Sequence, residues 1–253
     1  IMVSIKTGMK KILFIVCMRG DESAGYKLFQ DYPYGQTDEV EWSVVVGNAH
    51  ALMLQIPFLE SDLERSFADA SSATYEGEQA HILKGVAQQY DEVFIMRSGS
   101  QIRSRSWEDY AIIPEVTEQF KNQLQPCSPK IIGVYPEHSN NSSYLGAHHS
   151  TVATLYYQKT FDVYHDYERM LVDFESIIHQ DHAKMRKTKW YDIKRVVGWE
   201  EHKKNDLTDC EMVELSKEDK TSLSLSVESN YVPFFFAQSK EWYCHIGAEM
   251  KGF

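Results

Sequence analysis

Arg97-Ser98-Gly99-Ser100 follows directly on the apolar run Val93 to Met96. A guanidinium, two hydroxyls and a glycine in a loop at the carboxyl end of a buried strand suit a polar ligand. Open α/β sheets bind their ligands outside the carboxyl ends of the strands, so a site in this chain is expected to include Arg97 to Ser100. A second group, Glu175, His179 and His182, recurs at i, i+4 and i+7. That spacing puts three metal-competent side chains on one helical face, and an exposed polar stripe produces the same spacing. His148-His149 and His245, the latter after Trp242-Tyr243, are further imidazoles with no partner tied to them by spacing. The cysteines Cys17, Cys127, Cys210 and Cys244 are widely separated and form no CxxC pair. Cys17 lies inside an apolar run and reads as a small core residue, and a reducing compartment is the simpler inference.

Periodicity supplies the elements that would position these residues. Ile12 to Met18 is an apolar run without alternation, the pattern of a strand buried on both faces. It opens into Arg19-Gly20-Asp21 and a helix from about Ala24 to Asp31. Val40 to Val46 is a second strand, ending at Gly47-Asn48, and helical pieces are expected at Ala49 to Gln55 and Glu60 to Ala70. Ala80, Ile82, Leu83, Val86, Ala87 and Tyr90 repeat at helical spacing and lead through Asp91-Glu92 into the Val93 strand. Trp107 to Gln125 reads as a helix interrupted at Pro114, and Lys130 to Tyr135 and Thr151 to Tyr157 read as strands. Tyr164 to His182 is a helix whose stripe is Tyr164, Tyr167, Leu171, Phe174 and Ile178. A basic run, Lys184 to Arg195, follows. Short strands are expected at Val196 to Trp199 and Met212 to Leu215, and a half-exposed strand at Leu223, Leu225 and Val227. Tyr231 to Ala237, with Pro233, reads as an edge strand or an aromatic loop, and the tail from Glu241 is apolar enough to pack back on the domain.

At 253 residues the chain suits one large α/β domain. A net charge of −11 argues against general nucleic-acid binding and leaves room only for a local basic patch. No GxGxxG follows the first strand, and neither a GxxxxGK[ST] loop nor a GxSxG elbow is present. The lysines before the first apolar run imitate a signal peptide, but no small-residue cleavage site ends it, and it reads as a strand. No run reaches transmembrane length, and a cytoplasmic location is expected.

The order strand, loop, helix, strand, helices, then an amphipathic helix running into a strand with a polar end resembles the nucleotide-sugar half of GT-A-fold glycosyltransferases. Gly77, Gly85 and Tyr90-Asp91-Glu92 ahead of Val93-Phe94-Ile95-Met96 carry the likeness, which covers roughly residues 11–104 in layout. It implies an α/β fold with a GT-A-like (Rossmann-like) mixed sheet flanked by helices and a C-terminal portion of helices and strands. The whole of 1–253 would be one domain, with about 9–135 binding the nucleotide sugar and about 136–253 forming the acceptor side.

The resemblance implies a glycosyltransferase moving a sugar from a nucleotide-diphosphate sugar to a carbohydrate, lipid or nucleotide acceptor that is left open. Cys17, Arg19, Asp21, Gly47 and Asn48 would hold the base and ribose, and Arg97, Ser98 and Ser100 would meet the diphosphate. Where that fold carries an Asp-x-Asp metal motif, this chain has Arg97-Ser98-Gly99-Ser100, which cannot chelate a hard cation as carboxylates do. Side-chain cations would then neutralise the diphosphate, since guanidinium forks match phosphate oxygens. Lys187, Lys189 and Trp190 of the basic run would close over it. Asp173, Glu175, Glu200 and Glu201 are the candidates for a general base. No cofactor is firmly implied, and a divalent metal has weak candidate ligands in His179, His182 and His245. Two alternatives stand beside this reading: a catalytically inactive GT-A-like binding or scaffold protein, and a transferase that modifies a nucleotide within nucleic acid.

Overall fold

The computed structural model describes residues 8–67, 73–99, 109–134, 152–158, 160, 162–180, 188–198, 215–238 and 241–250. Its strands are β1 (Lys10–Val16), β2 (Tyr34–Gln36), β3 (Val40–Val46), β4 (Glu92–Gly99), β5 (Tyr110–Ile113), β6 (Ile131–Val134), β7 (Val152–Gln158), β8 (Lys189–Gly198), β9 (Tyr231–Gln238) and β10 (Glu241–Glu249). Its helices are α1 (Ser23–Asp31), α2 (Ala49–Leu54), α3 (Leu63–Ser66), α4 (Tyr75–Ala87), α5 (Glu118–Leu124), α6 (Val163–Ile178) and α7 (Lys217–Ser222).

The strands form one mixed sheet in the order β2-β3-β1-β4-β7-β5-β6-β8-β10-β9. β3, β1, β4 and β7 run parallel, as do β5, β6 and β8, and the two blocks meet antiparallel at β7 and β5. The carboxyl ends of β1, β3, β4 and β7 therefore share one edge of the sheet with the amino end of β5.

Alternation along β1 explains its continuous apolar run, because successive side chains face opposite sides of a sheet. Ile12, Phe14 and Val16 enter one core with Phe174 and Ile177 of α6 and Phe120 and Leu124 of α5. Leu13 and Ile15 enter the other with Phe67 and with Ala80, Leu83 and Ala87 of α4. Phe174 is an anchor of the first core, its ring 4.8 Å from that of Phe14 and 5.9 Å from that of Trp42. The helices start where the sequence offers oxygen caps. Thr74 accepts from Gly77 N ahead of α4, Thr117 from Phe120 N ahead of α5, and Asp162 from Tyr164 N ahead of α6.

Four expectations are corrected. Arg97-Ser98-Gly99 is not a loop but the last part of β4, held in the sheet by Tyr156, Tyr157 and Gln158 of β7. Of the helix expected over Trp107 to Gln125 with an interruption at Pro114, the part after the proline is present as α5, and the part before it is absent over its described residues. Tyr110–Ile113 is instead a strand, because it lies buried between β7 and β6, and α5 begins only after the Thr117 cap. The basic run enters β8 rather than a lid, with Lys189 and Lys194 exposed and Trp190 buried. Leu223, Leu225 and Val227 form no strand; Ser216 caps α7, and the chain turns after Ser222 with Leu223 in a small separate core. The β9 edge strand and the packed tail, β10, are present.

Candidate functional site

Cys17 ends β1 in the left-handed region, φ 51°, and redirects the chain across the carboxyl ends of the strands. Such a conformation in a non-glycine residue costs on the order of 1 kcal/mol or more. Gly20 then passes so close to α2 that a Cβ there would lie 2.0 Å from Ala51 O and 2.3 Å from Ile56 O. This loop delivers Arg19, Asp21 and Glu22 to the crevice. Along β4, Val93 and Ile95 face the α4 side, and by alternation Arg97 faces it too, at the height of α3.

Two guanidiniums organise the crevice. Arg97 Nε donates to Glu22 Oε1 at 2.8 Å, and its Nη1 lies 2.6 Å from Glu64 Oε2. Arg19 donates from Nε to Asp21 Oδ1 at 3.3 Å and from Nη1 to Asp62 Oδ2 at 3.1 Å. Arg19, Glu22, Asp62, Glu64 and Arg97 are all buried. Arg97 lies over the Tyr156 ring at 6.0 Å, and Tyr156 stacks on Tyr110 at 4.6 Å. Two buried polar atoms of this network have no partner among the described residues, Arg19 Nη2 and Glu22 Oε2.

The electrostatics follow from burial and pairing. Burial pushes the Glu22 carboxyl up, and Arg97 opposes the rise. Burial and the adjacent Glu64 raise Asp62 against Arg97 and Arg19. Burial works against the charge of Arg97, yet Glu22 and Glu64 hold it well above the ordinary arginine value. Cys17 is no thiolate: burial and Glu22 push its thiol up, and its Sγ donates to Glu22 O at 3.2 Å.

Beside this network, Glu76 at the start of α4 ties down the segment ahead of α3. It accepts from Leu59 N at 2.6 Å, from Glu60 N and Ser61 N at 3.2 Å each, and from Asn48 Nδ2 at 3.1 Å. Burial would raise its carboxyl, but these donors outweigh it and hold it below the usual range.

The structure brings Cys17, Arg19, Asp21, Arg97 and Ser98 together at the ends of β1 and β4, with Gly47-Asn48 next to them after β3. Asn48 is committed to the fold, its Oδ1 capping α2 at Ala51 N and its amide held by Glu76. Asp173 lies on α6, on the opposite face of the sheet, where it accepts from Ser128 N, Ser128 Oγ and Tyr157 Oη. Glu175 and His179 are exposed on or just beyond α6. Lys189 and Trp190 belong to β8, separated from β4 by β7, β5 and β6, and so do not close over Arg97. His245 is a β10 residue opposite Val196 and Phe234, with only its backbone described. Ser100, Lys187, His182, Glu200 and Glu201 lie outside the described residues.

Sequence reasoning missed Glu22, Asp62, Glu64 and Tyr156. Glu22 had a signal, an acid in the loop after the first strand. Asp62 and Glu64 had no such signal, and only the packed fold buries them.

This architecture is that of the succinylglutamate desuccinylase and aminoacylase structures. The chain is similar to the succinylglutamate desuccinylase from Chromobacterium violaceum, with TM-score 0.68 and 13% identity over 94% of this chain and 85% of that one. It is also similar to a point mutant of murine aminoacylase 3, with TM-score 0.66 and 16% identity over 97% of this chain and 96% of that one. The cell shape determinant Csd4 from Helicobacter pylori shares the fold over 68% of this chain and 51% of its own, with TM-score 0.54 and 15% identity. No protein-family profile matches the chain, and no curated protein matches it in sequence.

The glycosyltransferase expectation is thereby overturned, together with its GT-A sheet, its nucleotide-sugar donor, its acceptors and the scaffold and nucleic-acid variants built on it. The likeness rested chiefly on one helix–strand unit that many α/β folds share, whereas the similarity to the desuccinylase from Chromobacterium violaceum extends over 94% of this chain. Among the described residues no helix is long and apolar enough to cross a membrane.

A divalent metal does not fit the described donor set. Among the described residues no three His, Cys, Asp or Glu side chains are grouped to hold one. The crevice carboxylates are engaged by Arg19 and Arg97 instead. A dication placed among them would face two fixed guanidiniums and, among the described residues, no imidazole or thiolate.

Proposed function

We propose that this protein uses the desuccinylase–aminoacylase fold to recognise a ligand rather than to hydrolyse an amide through a metal-activated water. The observation that carries this reading is the double clamp, in which Arg19 and Arg97 each hold two carboxylates. A metal lowers the pKa of its bound water and so makes a nucleophile near neutral pH. A guanidinium stays protonated and has no site for a water to ionise. Nor does Cys17 offer a covalent route, since its thiol is buried and pushed up. What the crevice retains is a shaped, charge-compensated floor beneath the strand ends, where α/β folds seat their ligands.

The test uses the full chain, loaded with Zn²⁺, Co²⁺ or Mn²⁺ and then dialysed. N-succinylglutamate and a panel of N-acyl amino acids are assayed for release of a free amino group, and retained metal is measured. No turnover and no stoichiometric metal are expected. One tightly held metal per chain, or turnover that EDTA abolishes, overturns the reading.

A further inference from the structure

The end of α2 carries a residue that its backbone conformation disfavours. Ile56 N donates to Ala51 O and Gln55 N to Leu52 O, both at 3.1 Å. These paired bonds close a helix when the next residue turns left-handed, a place usually taken by glycine. Here it is taken by Gln55, with φ 53° and ψ 35°. Glycine adopts that conformation without steric cost, whereas a residue with a Cβ is strained in it. Strain of this kind collects at ligand sites, so a glutamine at this position points to a use for its side chain.

Gln55 lines a cavity of about 670 Å³ between α1 and α2. That volume lies within the range of small-molecule sites, which are mostly apolar with a few placed polar groups. Tyr26 and Phe29 of α1 contribute one wall, their rings stacked at 6.1 Å, and Leu52 and Met53 of α2 contribute the other. Met53 is 79% exposed, so the apolar walls open to solvent.

The lining also sets the charge of an occupant. It contains no lysine, arginine or histidine to receive an anion. Its carboxylate, Asp21, is committed to the clamp, where Arg19 Nε holds it at 3.3 Å. The remaining polar side chains of the lining are neutral, and neither the Ser23 hydroxyl nor the Gln55 carboxamide bonds to another described residue. A carboxamide both donates and accepts, so it pairs reciprocally with a second carboxamide. A carboxylate, which only accepts, and an ammonium, which only donates, cannot complete that pair.

We infer that this cavity binds a small uncharged molecule with an aromatic body and a carboxamide head, the body between the α1 rings and Leu52 and Met53, the head on Gln55. Aromatic faces and a thioether suit such a body. The site calls on neither clamp arginine, and its occupancy is read without reference to hydrolysis in the crevice.

The probes are 4-phenylbutanamide, 4-phenylbutyrate and 4-phenylbutylamine, which share a body and differ in the head. Binding to the full chain is measured by calorimetry or ligand-observed NMR. The amide is expected to bind saturably and about tenfold tighter than either charged analogue. Gln55→Gly should weaken the amide by about tenfold and hold or raise the melting temperature, because it removes the strained Cβ with the head-group partner. Ala49→Trp, at an exposed lining position, should plug the cavity and remove amide binding while far-UV circular dichroism stays unchanged. No saturable binding of the amide overturns the inference, as does equal or tighter binding of the acid or the amine, or undiminished amide binding in Gln55→Gly or Ala49→Trp.

Discussion

Arg97 Nε donates to Glu22 Oε1 across 2.8 Å, joining residues 75 positions apart with both side chains buried. The bond ties the loop after β1 to the end of β4. Through Glu64 the same guanidinium reaches α3, so one side chain fixes three segments that meet nowhere else in sequence.

Replacing Arg97 by methionine should therefore destabilise the protein by about 3–5 kcal/mol, because it strands buried carboxylates without their cation. Part of the loss should return as pH falls, since the Glu22 carboxyl, already raised by burial, can then protonate. The Glu22→Gln, Arg97→Met double variant should lose less than the sum of the single changes. Urea unfolding at pH 5 and pH 8 measures all three effects, and additive losses would show that the pair does not act as a unit.

Asp173 gives a pH dependence of one sign. Burial raises its carboxyl to about 7, against the hydrogen bonds from Ser128 and Tyr157 that lower it. The folded pKa lies above the unfolded one, so the folded state binds the extra proton. The stabilisation is full below about pH 4 and is lost as pH rises through about 7, by up to about 4 kcal/mol. Asp173→Asn should flatten stability between those limits, as read from melting curves across the range.

Glu76 gives the opposite sign. Its folded carboxyl lies below the usual value because Leu59, Glu60, Ser61 and Asn48 donate to it. Its contribution is present above the unfolded pKa and disappears as pH falls through the folded one. Glu76→Ala should cost about 2–4 kcal/mol at neutral pH by leaving buried donors unpaired, and less at pH 3. Equal losses at both values would place its effect in packing alone.

Gly20→Ala adds a methyl where backbone oxygens stand at 2.0 and 2.3 Å. Neither Ala51 O nor Ile56 O is a side-chain tip that can swing aside, so the loop or α2 must move. A loss of about 2 kcal/mol or more is expected in chemical unfolding, together with disturbed amide resonances at Ala51 and Ile56 in NMR. Wild-type stability would mean that the loop relaxes freely.

Much of the central sheet was legible. The even apolar run of β1 and the start of β4 announced strands covered on both faces, and Val40–Val46 matched β3 residue for residue. The α6 stripe was read almost in register, although Tyr164 is 68% exposed. Arg19, Asp21 and Arg97 stand out because charged groups after buried strands are conspicuous in one dimension.

What the chain alone determined was local: which segments are apolar on both faces, where caps begin helices, and which loops carry charge at strand ends. Tertiary structure decided the remainder. Tyr110–Ile113 became a strand because β7 and β6 flank it, and Arg97 stayed in a strand because Tyr156 pairs with it. The placement of β7 between β4 and β5, with a reversal of direction at β5, likewise exists only in the packed sheet. Asp62 and Glu64 look like surface acids until α3 packs over the β4 end, where their partners come from 43 positions away at Arg19 and from Arg97 on β4. Pairing between strands and ion pairing in a crevice depend on distance in space, and the order of residues along the chain carries little of that distance.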